Sequence, residues 1–497
     1  MSVVSDNGDT RVVSGNAGTD SGMSKQGTSA DGKMRIETDS LGKRQVPVDA
    51  YYGIQTLRGQ ENFQITGLSV HPALIRGLIM VKKATALAHS KLGQIPSRIG
   101  QAIAEAADDA LAGKLDSSFM LDPIQGGAGT SINMNVNEVL ANRAIEILGG
   151  VKGDYSLVSP LNHVNMGQST NDAVPTGARI ALLTQLEGTI EGLDALACAL
   201  EAKSEEFKDV VKMGRTHLQD AVPITAGQEF GAWAKALRRD IARIEAASEG
   251  LHIINLGGTA VGTGLNVDIR FIHLVCEELS KISGYPLQTA EDLVDCTQNV
   301  DVFANLSSCM KVCAVNLCKI ANDMRLLASG PIAGLHELLL PPVQPGSSIM
   351  PAKVNPVIPE VVNQVAFQII GNDLSVTMAA QAGQLELNVF MPVLLFNLLQ
   401  SADILGNAAR TFADKCVVGI EVNRERCLNM VETNVGVVTA LVPYLTYQVA
   451  CDVAKEAQAT GKTVRNIVLE RGLLSEEQLD HVLSFSHLTS PSGMDGA

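Results

Sequence analysis

The chain has 497 residues, 46% of them hydrophobic and only 4% aromatic, and carries a net charge of −15. That length allows two to four domains, and a core of Ala, Val, Leu, Ile and Met favours close-packed helices over sheets. The charge argues against a general nucleic-acid surface, no window supplies the roughly 20 uninterrupted apolar residues of a membrane span, and an anionic substrate must be drawn in by local positive groups.

Residues 1–33 hold six glycines, six serines and no aromatic. They are expected to form a disordered tail, because they cannot bury enough surface to fold. They contain neither an apolar signal core nor the arginines of an organelle presequence. From Arg35 to Gly67 the pattern is irregular, with strand-like and turn pieces around Val46-Pro47-Val48 and Tyr51-Tyr52-Gly53. Helical spacing begins at Pro72 and runs to Ala88; a second helix spans 99–111. The glycine-rich Gln125 to Ser131 then leads into a helix start at Asn133–Val139, whose N-terminal N–H groups attract anions.

A second polar cluster, His163 to Asp172, precedes Pro175 at the head of a long helix reaching about Phe207. A third, Gly214-Arg215-Thr216-His217-Leu218-Gln219-Asp220, is followed by a capping-box pair, Thr225 and Gln228, that opens a helix to about Ile253. Another helix is expected near 269–280. The pattern from Val300 to Ser329 reads as the longest, and Gly330-Pro331 ends it. Helices over about 358–381 and 389–413 follow, so several long helices in succession indicate a bundle. From Ile420 the pieces shorten, with a capping box at Ser475 and Gln478. The resulting division is a tail at 1–33, an N-terminal domain at 34–169, a central helix-bundle domain at 170–420 and a small C-terminal helical domain at 421–497.

Between the last long helices lies the stretch on which the chain turns, Pro345-Gly346-Ser347-Ser348-Ile349-Met350-Pro351-Ala352-Lys353-Val354-Asn355-Pro356. Three prolines and a glycine deny it a regular helix, and it carries two hydroxyls, an ammonium and an amide. An ordinary surface connection needs none of these, whereas a stiff polar loop between apolar helices suits chemistry. The four polar clusters lie at different helix ends. One bundle cannot easily gather them, so a site shared between associated chains is expected.

Other motifs fail. Ala459-Thr460-Gly461-Lys462-Thr463 resembles a P-loop ending, but Glu456 stands where glycine is required. The glycines at 257–264 lack dinucleotide-binding spacing. No histidines pair at metal-ligand spacing. Most of the histidines read as structural or solvated; His217, among Arg215, Thr216 and Gln219, reads as functional. Nine cysteines, an odd count without a C-x-x-C pair, read as reduced thiols of a cytoplasmic protein.

The stretch Gly346 to Pro356 resembles the signature of the fumarase/aspartase superfamily, and the three upstream clusters match its other motif regions in order, over about residues 35–485. Tyr51 to Arg58, Glu61-Asn62-Phe63, Lys212 to Thr216 and Val354 to Gln364 resemble the ammonia-lyase branch. His217, common in fumarases, and the tail at 1–33 depart from that pattern.

The resemblance implies a mainly α, three-domain fold, a homotetramer with a 20-helix core and active sites built from three subunits. The implied reaction is reversible anti elimination of ammonia from L-aspartate to give fumarate through an enediolate. Alternatives are hydration of fumarate to malate, or a non-catalytic structural role like that of the superfamily's lens crystallins. By this resemblance Ser347 is the base. Thr130, Ser169, Thr170 and Ser348 bind the carboxylate that becomes the enediolate. Lys353, Asn355 and Thr216 bind the other carboxylate, and Asn171 and His217 hold the departing amine. The scheme calls for no metal and no organic cofactor, with a divalent cation such as Mg2+ left open as an activator. The partner is a small dicarboxylate, not nucleic acid or membrane, and the loop is expected to act as a lid.

Overall fold

The computed structural model describes residues 32–490, so the tail expected at 1–33 lies almost entirely outside the described residues. The chain opens with an antiparallel hairpin, β1 (Met34–Asp39) and β2 (Gly42–Pro47), with Ile36 opposite Gln45. The next segment, expected to be irregular, contains a helix, α1 (Ile54–Asn62), with no side-chain cap of its own. Its cap comes from far along the sequence. The Glu138 carboxylate accepts the backbone N–H groups of Gly53, Gln55 and Thr56 at 2.9, 2.8 and 3.0 Å and the Thr56 hydroxyl at 2.6 Å. A tertiary cap of this kind satisfies the orphan donors of the first turn but leaves no local signal.

Helices α2 (Pro72–Lys91), α3 (Ser97–Leu111) and α4 (Thr130–Ile147) complete the N-terminal part. The longest helix is α5 (Thr170–Glu206), of 37 residues, not the one near 300–329. It starts upstream of Pro175, which lies inside it. Pro175 has no N–H for the Asn171 carbonyl oxygen, and the Asn255 side-chain amide donates to that oxygen instead, at 3.1 Å. α2 crosses α5 closely enough that a Cβ on Gly77 would sit 2.2 Å from the Gly177 carbonyl oxygen. Glycine there permits the approach rather than a turn.

Next come the hairpin β3 (Val211–Thr216) and β4 (Gln219–Thr225), α6 (Ala226–Ser248), and the parallel pair β5 (Ile253–Ile254) and β6 (Gln288–Thr289), with α7 (Ile269–Ser283) between the last two strands. The capping box of Thr225 and Gln228 is present at the head of α6, which ends short of the expected Ile253. A short α8 (Leu293–Gln298) precedes α9 (Asp301–Leu327), α10 (Val357–Gln381) and α11 (Met391–Lys415). In space α5 packs on α6, α6 on α9, α9 on α10, α10 on α11, and α11 back on α5, a closed five-helix ring around the large core.

The remaining helices are α12 (Arg424–Thr433), α13 (Tyr447–Thr460), α14 (Val464–Glu470), α15 (Glu476–Val482) and α16 (Phe485–Leu488). The P-loop-like run is their punctuation: Gly461 is the left-handed C-cap of α13 and Thr463 the N-cap of α14. Much of this region packs with Val211 and Met213 of β3 around a second, smaller core. A short antiparallel pair, β7 (Leu338–Leu339) and β8 (Glu421–Val422), joins the segment after α9 to the chain beyond α11.

The ring is not covered on all sides. On α10, Phe367, Ile370, Leu374 and Met378 recur every three or four residues and are 62, 38, 62 and 56% exposed. These residues form an apolar stripe that the other described helices leave uncovered. Among the described residues no helix is long and apolar enough to cross a membrane.

Candidate active site

Two of the four polar clusters meet within one chain. At the head of α4, Gly127, Ala128 and Gly129 all take positive φ, of 86, 56 and 91°. This turn leads directly into Thr130, the first helical residue, with no side-chain cap. The Thr130 N–H donates to the Gly127 carbonyl oxygen at 2.9 Å, and the N–H groups next along the first turn of α4 are left for an anion. The Thr130 hydroxyl donates to the Gly127 carbonyl oxygen at 2.7 Å.

The head of α5 packs against this turn, where a Cβ on Gly129 would touch Val174. Ser169 is its N-cap, and its hydroxyl oxygen accepts the Asn171 N–H at 3.2 Å. Asp172 closes a capping box by accepting the Ser169 N–H at 2.9 Å. Its other oxygen accepts the N–H groups of Gly257 and Thr259 at 3.1 and 3.0 Å, tying the helix head to the glycine-rich turn. The Asn171 amide donates to the Ala260 carbonyl oxygen at 2.7 Å, so its own oxygen is the group left to accept. Ser169, Thr170 and Asn171 are all half-buried.

Beneath this turn lies a polar network that sequence reasoning missed. The fully buried Lys82 ammonium donates to the Asn165 and Gln168 side-chain oxygens, each at 2.9 Å. The same Asn165 oxygen accepts the amides of Asn133 and Asn137 from α4, each at 3.1 Å. The two helix heads are thus joined through one amide. Burial pulls the Lys82 ammonium down to about 7 against the attraction of Asp172. Burial also pushes the Asp172 carboxyl up to about 6, against its three backbone donors and Lys82. The Ser169–Asp172 spacing was the available signal for the cap; nothing local marks Lys82.

The third cluster is a hairpin end. β3 and β4 are joined by His217 and Leu218, both with positive φ, of 56 and 59°. Turns of this geometry are ordinarily marked by Asn-Gly or Asp-Gly, so no local signal announces this one. Thr216, His217 and Leu218 are exposed at the tip. Behind the tip the hairpin is anchored by charge. Arg215 donates to the Glu337 carboxylate at 2.5 Å. Lys212 Nζ lies 3.0 Å from the other Glu337 oxygen, out of line for a hydrogen bond, so that contact is ionic.

The fourth cluster closes on itself. The Gly346 N–H donates to the Lys353 carbonyl oxygen at 2.8 Å, and the Asn355 amide donates to the Gly346 carbonyl oxygen at 2.7 Å. Within this ring the Ser347 hydroxyl oxygen accepts the N–H groups of Ile349 and Met350 at 3.2 and 3.0 Å. Two backbone donors aimed at one hydroxyl oxygen favour its anionic form. Ser347 and Asn355 are half-buried; Ser348 and Lys353 are exposed. Among the described residues no hydrogen bond joins this loop to the other three clusters.

A helical bundle with anion-attracting helix heads and a polar loop that holds a serine hydroxyl under two backbone N–H groups is the architecture of a lyase. Residues 42–371 match the family model described as Lyase, residues 437–490 match the one described as Fumarase C C-terminus, and the chain belongs to this family, the fumarase/aspartase superfamily. It is similar to an aspartate ammonia-lyase from a Bacillus species, with 54% identity over 92% of this chain and 98% of that one. Among solved structures it is similar to a cobalt-bound fumarate lyase:delta crystallin from Brucella melitensis, with a TM-score of 0.90 and 50% identity over 92% of this chain and 100% of that one. It is also similar to a class II fumarase from Schistosoma mansoni, with a TM-score of 0.89 and 36% identity over 93% and 100% of the two chains.

Proposed function

We propose that the chain is an aspartate ammonia-lyase, a carbon–nitrogen lyase that converts L-aspartate reversibly to fumarate and ammonia. The observation that carries the choice of leaving group is the contrast in identity, 54% to an aspartate ammonia-lyase against 36% to a fumarase.

The difficult step is removal of a Cβ proton beside an ionised carboxylate, because the enediolate formed puts two negative charges on that carboxyl. Donors must be in place before the charge develops. Thr130, Ser169, Thr170 and Ser348 supply them, assisted by the uncapped N–H groups at the head of α4. Ser347 takes the proton, a role supported by the two N–H groups on its oxygen. Lys353 holds the α-carboxylate with Thr216, and Asn355 keeps the loop ring closed around that contact. The departing amine is met by the Asn171 side-chain oxygen and by His217. This scheme needs no metal or organic cofactor in any step and leaves a divalent cation such as Mg2+ open as an activator.

The working enzyme is a homotetramer in which three subunits build each site. Two observations support this: among the described residues the fourth cluster makes no hydrogen bond to the others, and the α10 stripe is exposed; four copies of the five-helix ring would supply the twenty helices of such a core. Nine unpaired cysteines support a cytoplasmic location.

A substrate panel tests the reaction. Purified protein should release fumarate, read by its ultraviolet absorbance, from L-aspartate and not from L-malate. Release from malate alone would make the chain a hydratase, and release from neither would leave only the structural role.

A further inference from the structure

A small enclosed space lies behind the first turns of α5. Its walls include Thr170 and Arg179 of that helix, Cys296 and Thr297 of α8, and Asn388 just before α11. The room for the centre of a water-sized sphere is about 10 Å³, enough for one water or one monatomic ion and too little for a phosphate or a dicarboxylate.

Arg179 is the only charged residue on these walls, and it is 3% exposed. One of its terminal nitrogens donates to the Pro175 carbonyl oxygen at a long 3.3 Å and the other to the Cys296 sulfur, a weak neutral acceptor, at 3.3 Å. The guanidinium lies over the Phe303 ring at 5.0 Å. Its Nε, fully buried, has no partner at all. Among the described residues Arg179 is in no ion pair with a carboxylate; the adjacent Cys296 thiol is pushed toward its neutral form by burial, and Asp301, the other acid that acts on Arg179, is exposed at the head of α9.

A guanidinium buried without a counter-charge is one of the costliest arrangements in a protein interior. A water could satisfy the Nε hydrogen but would bring no charge. The size of the space and the sign of its one charged wall together select a monatomic anion.

We propose that this cavity is a halide site, holding a chloride ion against the Arg179 guanidinium; the Thr297 hydroxyl and the Asn388 amide, which donate to the carbonyl oxygens of Leu293, Ala379 and Ala380, are neutral walls and not ligands. The bound chloride neutralises the buried guanidinium and braces the helix head that carries Thr170 and Asn171. The site rests on burial, size and charge, and stands whichever dicarboxylate the enzyme uses.

Two measurements on the full-length protein test it. Crystals soaked in sodium bromide and measured at the bromine absorption edge should give an anomalous peak in this cavity, within hydrogen-bonding distance of Arg179. In parallel, melting temperature should rise by about 2 °C or more in sodium chloride over sodium gluconate of equal ionic strength. That rise should vanish in Arg179→Gln. A cavity holding only water under saturating bromide overturns the proposal, as does an equal chloride effect in the variant. Should the variant fail to fold, the bromide map decides alone.

Discussion

The Gly346 N–H and the Lys353 carbonyl oxygen, 2.8 Å apart, close residues 346–353 into a ring with the proposed base near one end and the ammonium at the other. A Cβ added at Gly346 would lie 2.4 Å from that carbonyl oxygen, a backbone atom that cannot swing aside. Gly346→Ala should therefore open the ring. Misplacement of reacting groups by about 1 Å costs on the order of 100-fold, and kcat should fall by about that factor while the melting temperature holds. Steady-state kinetics beside a circular-dichroism melt would check this; an unchanged kcat would mean the ring is dispensable.

Ser347→Ala removes the hydroxyl and leaves the ring bonds, which are made by backbone and by Asn355. A general base contributes about 10²–10⁴-fold, so turnover should drop by roughly 10³-fold. Oligomer size on a calibrated column should not change. A variant retaining the parent rate would remove Ser347 from the role of base.

Glu337 is 1% exposed and faces two cations, Lys212 and Arg215, at the base of the hairpin that presents Thr216 and His217. Glu337→Gln leaves both cations without their shared carboxylate, and breaking a buried pair in this way costs about 3–5 kcal/mol. A lower melting temperature and a raised KM are expected together, because the hairpin tip loses its anchor. A variant that melts with the parent protein would show that Glu229, 2.8 Å from Lys212, carries the pairing instead.

His89 is buried, stacked on Phe271 at 4.1 Å, with its ring nitrogens facing the Met166 carbonyl oxygen at 2.8 Å and the Gln94 side-chain oxygen at 2.5 Å. Burial holds its pKa below the ordinary 6.5, against the Gln94 and Met166 oxygens, which favour the charged ring. Below pH 6.5 the unfolded chain therefore binds a proton that the folded chain resists, so the neutral ring's contribution is fully present above 6.5 and is lost as pH falls. Melting temperatures at pH 7, 6 and 5 should fall, and His89→Gln should fall less steeply. Parallel slopes for the two proteins would exclude His89 as the source.

The sequence alone determined the helical class, most of the long helices, the capping boxes at Thr225 and Ser475, and the four polar clusters. These are local properties: apolar spacing sets a helix face, a hydroxyl three residues before an amide sets its start, and Pro and Gly stop it. The superfamily resemblance likewise rested on short contiguous motifs.

Tertiary structure alone decided what depends on distant partners. α1 exists because Glu138 caps it, α5 runs through Pro175 because Asn255 answers the carbonyl that proline leaves free, and the His217–Leu218 turn takes two positive φ values without glycine. The loop at 345–356 is sharpened in the same way. Its composition announced a rigid polar element, and the two N–H groups on Ser347 come from a local turn two and three residues on, but only the fold half-buried Ser347 and left Lys353 exposed. The buried cations Lys82 and Arg179 sit in apolar helical runs that look like any others. A side chain's charge becomes informative only when the fold removes water from it, and that removal is a property of packing rather than of neighbours in sequence.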